Sequence, residues 1–401
     1  MAAQCIQPVY VGKFQCDGRV CGGLCCNRGW GIALDEITYR KLVQLEAGGE
    51  TDLLSRVEWN EEKKKGSLIC RDGVCRFQGA DLLCHIQKKY GPDYLPDICA
   101  IYPRTYRAVQ GIVVRTLSVT CPIAADLALR NEAPMDFEAV LLENDRDMVE
   151  YQIGTDSYPP EVLKHFFPLQ SAGISLLQDR ALTLNQRLIR LGALLQEADT
   201  LIQQQRAQQI PRMISAFQET TAAAFPAAGS GLYTQRMAEI IVLLYQNVEE
   251  YMEDPSLYLA QLFQAFPALG EAGREAELAA QYEAAAAAAR EKLKPFTYIL
   301  ENFLINEFFT GLYPFAFKDT IPQNYFVLAV IYKILEFFLV ARATILPETG
   351  EKDIMEAMAR LELRIRHLAP YTDRIRSYVS LYGQDMTAFT GDFLDGGCDG
   401  L

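Results

Sequence analysis

Phe326-Val-Leu-Ala-Val-Ile-Tyr-Lys-Ile-Leu-Glu-Phe-Phe-Leu-Val-Ala341 is the longest apolar stretch of the chain. Its length raises the question of a membrane span. Lys333 and Glu336 sit in its middle, however, and a charge at the centre of a bilayer costs roughly 2.5 kcal/mol or more on insertion scales. The stretch therefore reads as a buried core helix, and no membrane span is expected. Around it the whole second part of the chain has a helical period, with Leu, Ala, Gln, Glu and Arg recurring every 3 to 4 residues and few β-branched runs. The pattern predicts helices over 134–152, 160–179, 182–207, 210–223, 232–252, 256–265, 271–292, 296–312, 323–344, 351–367 and 370–389. Breaks fall at Ser157-Tyr-Pro-Pro160, at Phe225-Pro-Ala-Ala-Gly-Ser-Gly231, at Phe266-Pro267, and at Pro314 and Pro347. Ala284 to Ala289 is the one low-complexity run and reads as closely packed or partly exposed helix. An α-helical bundle or array follows.

Over all 401 residues, 50% are hydrophobic and 22% charged, enough apolar material for a large core, which excludes disorder as the main state. Lys plus Arg is 38 against Asp plus Glu 51, a formal net charge of −13. That balance argues against non-specific nucleic-acid binding and suits a basic partner. The two parts differ: residues 1–126 carry 16 basic and 14 acidic side chains, residues 127–401 carry 22 and 37. The opening Met1-Ala-Ala-Gln-Cys-Ile-Gln-Pro-Val-Tyr-Val-Gly-Lys-Phe14 lacks the basic end and apolar stretch of a secretory signal, and Cys5 lies too close to Met1 for a lipoprotein cysteine. A reducing, cytoplasmic compartment is expected.

The first part is rich in turn formers: Gly22-Gly23, Asp72-Gly73, Gly91-Pro92 and Leu95-Pro96-Asp97. Short helices are expected near 35–47 and 81–89, and a β-hairpin around 106–118 turning at Gln110-Gly111. Ten of the 11 cysteines lie here. Their order is Cys16-x4-Cys21-x3-Cys25-Cys26, then Cys75-x8-Cys84-x14-Cys99, and finally Cys121-Pro122. In a reducing compartment, clustered thiols more often bind metal than form disulfides. Thiolates suit soft or borderline ions, so a four-thiolate iron–sulfur cluster and a structural zinc site both fit, and spacing alone does not choose between them. The fold class expected is mainly α. An N-terminal, loop-rich cysteine-cluster metal domain with a short β-hairpin, 1–126, precedes a large α-helical domain, 127–401.

These residues carry a family resemblance. Phe14-Gln-Cys-Asp-Gly-Arg-Val-Cys-Gly-Gly-Leu-Cys-Cys-Asn-Arg-Gly-Trp-Gly-Ile-Ala-Leu-Asp35, with Cys75-Arg-Phe77 and Leu83-Cys-His-Ile-Gln-Lys-Lys-Tyr-Gly91, resembles the flagellin lysine-N-methylase family (FliB). Cys99-Ala-Ile-Tyr-Pro-Arg104 and Leu117-Ser-Val-Thr-Cys-Pro122 continue the match. The cysteine framework is also similar to the wider group of zinc- or iron-chelating cysteine-cluster proteins. Beyond it, Arg187-Leu188 with Gly192, and Leu300-Glu-Asn-Phe-Leu-Ile-Asn306 leading to Tyr313-Pro314-Phe315, look like the family's helical half. Thr120 departs from the Ser expected before Cys121, and Cys5, Cys70 and Cys398 have no place in the pattern. The resemblance implies methyl transfer from S-adenosylmethionine to lysine amines of flagellin, with an iron–sulfur cluster (4Fe-4S, or alternatively zinc) held among Cys16, Cys21, Cys25, Cys26, Cys75, Cys84, Cys99 and Cys121. No glycine-rich strand-to-helix fingerprint of a Rossmann methyltransferase is present. The Cys-x3-Cys-x2-Cys spacing of a radical enzyme is missing as well, because residue 28 is Arg28.

A site for this chemistry must deprotonate the lysine and hold its amine in line with the methyl group. Tyr102 is the candidate for orienting amine or donor, Arg104 for binding the donor's carboxylate, and Trp30 for stacking on a ligand or sulfonium. The structural alternatives are a packed Tyr before Pro, a loop-fixing ion pair and a small-core cap. Asp97 is a further polar candidate. Asp35 reads as an N-cap, Lys63-Lys64-Lys65 as a solvated loop, and His165 and His367 as ordinary helix residues. His85 is a weak metal candidate. Glu301, Asn302 and Asn306 share part of one helix face and either brace the structure or line a cleft. A rival class is a non-enzymatic metal- or redox-binding protein whose helical part binds a partner.

Overall fold

The computed structural model describes residues 3–27, 31–143, 149–219, 232–245, 256–316, 320–346, 348–367 and 369–394. Trp30 and Cys398, the break at 225–231 and Pro347 lie outside the described residues. The chain divides into two compact units: residues 1–108, 112–128 and 136–151 form the first, and 109–111, 129–135 and 152–401 the second.

In the first unit the order is β1 (Ala3–Pro8), α1 (Gly18–Cys21), β2 (Ala33–Leu34), α2 (Glu36–Ala47), β3 (Val57–Asn60), β4 (Lys65–Leu68), β5 (Cys70–Arg71) and β6 (Val74–Cys75). There follow α3 (His85–Tyr90), α4 (Asp97–Ile101), β7 (Arg104–Val109), β8 (Ile112–Leu117), α5 (Pro122–Leu129) and β9 (Phe137–Leu142). The expected hairpin is β7–β8, and Gln110 and Gly111 at its turn both have positive φ, as a two-residue hairpin loop requires. The hairpin belongs to a larger sheet ordered β7-β8-β1-β9. In it β1 runs parallel to β8 (Cys5 opposite Val113) and antiparallel to β9 (Gln7 opposite Glu138). Cys5 is buried with Ile101, Tyr106 and Val113, so it is a core residue of the sheet.

The helix expected over 134–152 is not formed. Residues 137–142 are strand β9, and a short strand β10 spans Tyr151–Ile153. Exposure along the second half of β9 alternates residue by residue, leaving Leu141 70% exposed, which is the period of an edge strand with one covered face.

A second sheet, β2-β4-β3, closes over a small core of Leu34, Leu42, Leu53, Val57, Leu68, Phe77, Ile86 and Leu95. Gly66 on β4 has no room for a side chain: a Cβ there would lie 2.1 Å from the Glu58 carbonyl oxygen. Tyr39 of α2 stacks on Trp59 of β3 at 4.0 Å. The Lys63-Lys64-Lys65 stretch leads from the β3–β4 turn into β4, exposed, with Lys64 paired to Glu61.

The second unit is helical: α6 (Pro160–Leu163), α7 (Phe166–Leu177), α8 (Leu184–Gln203), α9 (Ile210–Glu219), α10 (Tyr233–Tyr245), α11 (Ser256–Ala265), α12 (Glu275–Leu293), α13 (Thr297–Thr310), α14 (Ile321–Ile345), α15 (Glu351–His367), α16 (Ala369–Val379) and α17 (Met386–Phe393). The stretch that opened the reading lies in α14, which is buried along nearly all its length and packs against α8, α11, α12, α15 and α16. Thr320 caps it with a reciprocal Thr320–Gln323 capping box, and Thr183–Gln186 does the same for α8. No helix among the described residues is long and apolar enough to cross a membrane.

Close approach in this unit is set by two glycines. A Cβ on Gly192 of α8 would meet the Tyr325 ring of α14 at 2.9 Å, and one on Gly173 of α7 would meet Phe308 at 2.6 Å. The Tyr325 hydroxyl donates to the Leu188 carbonyl at 2.7 Å. The alanine run of α12 is tightly packed on one side, with Ala285, Ala286 and Ala289 buried. The single helix expected over 370–389 is instead two, α16 and α17, parted by a turn at 380–385 that Asp385 caps by accepting from the Ala388 amide.

Candidate functional site

The cysteines come together because three loops fold onto the small core of the first unit. Gly22 and Gly23, both at positive φ, end α1 and turn the chain. A Cβ on Gly23 would overlap the Gln78 side chain at 2.0 Å, and one on Gly18 would meet the Leu82 carbonyl oxygen at 2.6 Å. The 17–26 loop is thereby seated on the 78–84 loop, bringing Cys25 and Cys26 toward Cys84. The Asp72-Gly73 turn of the β5–β6 hairpin sets Cys70 directly opposite Cys75. Cys26, Cys70, Cys84 and Cys99 are half-buried against the core that also holds Cys75.

The thiols feel one another. Burial pushes up the pKa of Cys75, Cys84 and Cys99, and the neighbouring thiols Cys25, Cys70, Cys75 and Cys84 push Cys99 further. Cys26 is raised first by its contact with Cys25, whose sulfur lies 4.0 Å away, then by burial and by Cys84 and Cys75. A second group stands around Cys121. This thiol is pushed up to about 11 by burial, with Cys21 and Cys16 adding to the rise and the backbone amides of Ala124 and Ile123 opposing it. Cys16, exposed at the surface, is raised by burial of its sulfur and then by Cys25 and Cys21.

The structure thus brings all eight expected cysteines into one unit and adds Cys70, whose place the sequence pattern had not supplied. The Asp72-Gly73 turn was the signal for it, since a two-residue turn there puts positions 70 and 75 across from each other. Among the described residues, no three His, Cys, Asp or Glu side chains already surround one metal-sized centre. His85 faces the Tyr90 ring at 6.4 Å.

Tyr102 and Arg104 follow Cys99 and α4, beside the second thiol group. The Tyr102 hydroxyl lies 3.0 Å from the Thr120 hydroxyl, which lies 2.8 Å from that of Ser118. Thr120 therefore supplies a hydroxyl partner for Tyr102 just before Cys121. Arg104 is half-buried, its guanidinium 5.0 Å from the Phe14 ring centroid, and burial lowers its pKa despite the pull of nearby Tyr106 and Cys16. Among the described residues it has no carboxylate partner. Asp35 caps α2, accepting from the Thr38 amide at 2.8 Å and the Thr38 hydroxyl at 2.7 Å.

In the helical unit, Glu301 and Asn302 act as braces. Glu301 is buried and accepts from Arg187 at 2.6 Å and Arg180 at 2.8 Å. Asn302 donates to the carbonyls of Leu129 and Asn131. Cis peptides precede Pro103 and Pro314, and the segment around Pro314 is tied in by Gln170, which donates to the Tyr313 carbonyl, and by Asn324, which donates to that of Pro314.

Residues 170–385, more than half of the chain, match the family model described as the FliB lysine N-methylase C-terminal domain. The chain belongs to the FliB lysine N-methylase family. A lysine-N-methylase of Salmonella typhimurium is 31% identical over 125 residues, 29% of this chain and 30% of that protein. The flagellar biosynthetic protein FliU of Salmonella muenchen is 31% identical over 125 residues, 29% of this chain and 71% of that protein. The matched part therefore spans less than a third of the lysine-N-methylase's length. No solved structure matches. Within this FliB-family chain, the matched helical domain contains Arg187, Gly192, Glu301 and Asn302, the residues whose packing and ion pairs organise the second unit.

Proposed function

We propose that the chain is a protein-lysine N-methyltransferase that takes its methyl group from S-adenosylmethionine and acts in the cytoplasm on lysines of flagellin before its export. Family membership carries this reading, and the relatives' names, lysine-N-methylase and a flagellar biosynthetic protein, support the substrate class. In the reaction, the amine nitrogen forms a bond to the methyl carbon while the carbon–sulfur bond breaks and its electron pair stays on sulfur. The lysine's surplus proton leaves to solvent.

An iron–sulfur cluster suits the donor set of the first unit by chemistry, because thiolates are the ligands such a cluster takes and these cysteines are half-buried on a common core. Cys25, Cys26, Cys75, Cys84 and Cys99, with Cys70 beside them, are the residues that would hold it. When bound, such a centre supplies positive charge that keeps thiolates ionised, and it ties the three loops together. Arg104, a half-buried cation without a carboxylate partner among the described residues, would bind the donor's carboxylate. Tyr102, whose hydroxyl is held by Thr120, would orient the amine.

Anaerobic purification with iron, sulfide and zinc analysis, followed on the same sample by S-adenosylmethionine binding and mass spectrometry of flagellin, tests the proposal. The expected result is iron and sulfide bound by the chain, donor binding weakened roughly tenfold or more in Arg104→Met, and lysines heavier by one or more methyl groups. Metal binding without donor binding or methylation would overturn it and leave a metal-binding interaction protein.

A further inference from the structure

Cys70 and Cys75 face each other across the β5–β6 hairpin. Its two turn residues, Asp72 and Gly73, both have positive φ, the backbone of a type I′ turn, whose twist matches that of the strands it joins. Such a turn makes Arg71 and Val74 the hydrogen-bonded pair beside it. One position beyond the cysteines, the Arg76 amide donates to the Ile69 carbonyl at 3.0 Å. Hydrogen-bonded and non-hydrogen-bonded pairs alternate along an antiparallel ladder, so Cys70 and Cys75 hold a non-hydrogen-bonded position, where opposite Cα atoms stand about 4.5 Å apart. Disulfides span Cα separations of about 4.4–6.8 Å. Directly opposite residues share a face. Here it is the face turned to the small core, while Arg71 and Val74 are exposed on the other.

The rest of the cysteine group lacks this arrangement. Cys25 and Cys26, with sulfurs 4.0 Å apart, are chain neighbours, and the roughly 3.8 Å between consecutive Cα atoms falls short of the disulfide range. Among the described residues no other strand pair sets two cysteines opposite each other. The two thiols also differ in access: Cys75 is buried, whereas Cys70 is half-buried and open to a small reagent.

We propose that Cys70 and Cys75 form a thiol–disulfide exchange site, whose oxidation by a low-molecular-weight disulfide of the glutathione class withdraws Cys75 from metal binding. The withdrawal rests on the metal-centre reading above; the exchange does not. The Cys70 thiolate attacks one sulfur of the small disulfide, the S–S bond breaks, and its electron pair leaves with the other sulfur as a thiolate. The Cys75 thiolate then attacks the Cys70 sulfur of the mixed disulfide and expels the second small thiolate. Two protein thiols are thereby oxidised by two electrons, the small disulfide is reduced to two thiols, and the protons pass to them. Metal and disulfide compete for the one Cys75 sulfur. The ring that closes is short, so the link constrains the unfolded chain little, and excess small thiol reverses it.

The test incubates the full chain, purified anaerobically, with oxidised glutathione, then blocks remaining thiols and digests with trypsin. Cleavage after Lys65, Arg71 and Arg76 places the two cysteines on separate peptides, 66–71 and 72–76, so mass spectrometry reads their cross-link directly. Expected are that cross-link, release of metal in step with it, and return of both thiols on adding excess reduced glutathione. Cys70→Ser should form no link at Cys75 and keep through the same treatment whatever metal it carries. Absence of the cross-link, a link from Cys70 or Cys75 to a different cysteine, a cross-linked chain that keeps its metal, or equal metal loss from Cys70→Ser would overturn the proposal. A chain that carries no metal as purified yet forms the link would refute the metal-centre reading and leave the exchange site standing.

Discussion

Replacing Lys333 tests why α14 is a core helix. Both Lys333 and Glu336 are fully buried there, with Nζ 3.1 Å from the Glu336 carboxylate and 2.6 Å from the Asn185 side-chain oxygen. Tyr233 and Tyr282 also donate to Glu336, at 3.3 and 3.4 Å. Lys333→Met keeps the stem's volume but leaves the carboxylate buried without its cation, at a cost of about 3–5 kcal/mol. Adding Glu336→Leu removes the uncompensated charge. What then remains is the loss of an acceptor by two buried tyrosine hydroxyls and of a donor by Asn185, about 1–3 kcal/mol. In urea denaturation followed by far-UV circular dichroism, a slope of about 3 kcal/mol/M for a helical body of this size converts these costs into midpoint shifts. The single variant should fall by about 1–1.7 M and the double variant by about half that. A single variant within about 0.3 M of the parent, or a double variant less stable than the single, would refute the reasoning that the pair exists to compensate itself in a dry site.

Other perturbations separate structural from functional groups. Glu301→Leu strands the buried Arg187 guanidinium and should cost about 3–5 kcal/mol, read as a fall of about 6–15 °C in Tm, whereas Glu301→Gln should cost less. Burial pushes the Glu239 pKa up, but hydrogen bonds from Tyr378, Arg236 and Gln235 outweigh it and hold the carboxyl below its usual 4.5. Its stabilisation is therefore full above pH 4.5 and lost as pH falls through the lowered value, so Glu239→Gln should flatten the acid limb of a Tm-versus-pH curve. Cys70→Ser should lower metal content per chain at unchanged Tm, while Cys5→Ser should leave metal content alone and cost about 1–3 kcal/mol by burying a hydroxyl in the sheet.

The helices of the second unit were legible because each carries its own period and its own stops; 256–265 and 351–367 form with the expected bounds. Residues 134–152 misled for a physical reason. Leu, Glu, Ala and Met favour a helix locally, but Phe137–Leu142 gains a full ladder of backbone bonds to β1, and that tertiary pairing overrides a weak propensity. The strand β1, with the short and mixed sequence AQCIQP, gives almost no period to read. Its place between β8 and β9 depends on a contact more than 100 residues away in sequence. Cys70 was invisible to spacing arguments because its partner across the hairpin, rather than its distance to the next cysteine, puts it with the thiols.

Charge accounting carries the same logic to the sites. A buried charge costs several kcal/mol unless it is paired, and the helical core obeys this rule at Glu301 with Arg180 and Arg187, at Lys333 with Glu336, and at Arg342 with Asp353 and Glu356. The first unit shows the same economy in Asp35, whose carboxylate is spent on a helix cap. Among the described residues Arg104 differs from these: it is half-buried, lowered in pKa by burial and faces an aromatic ring with no carboxylate partner. On the methylase reading proposed above, a negatively charged group beside Arg104 is the occupant that would complete the balance. That is the sign carried by the carboxylate of the methyl donor proposed above.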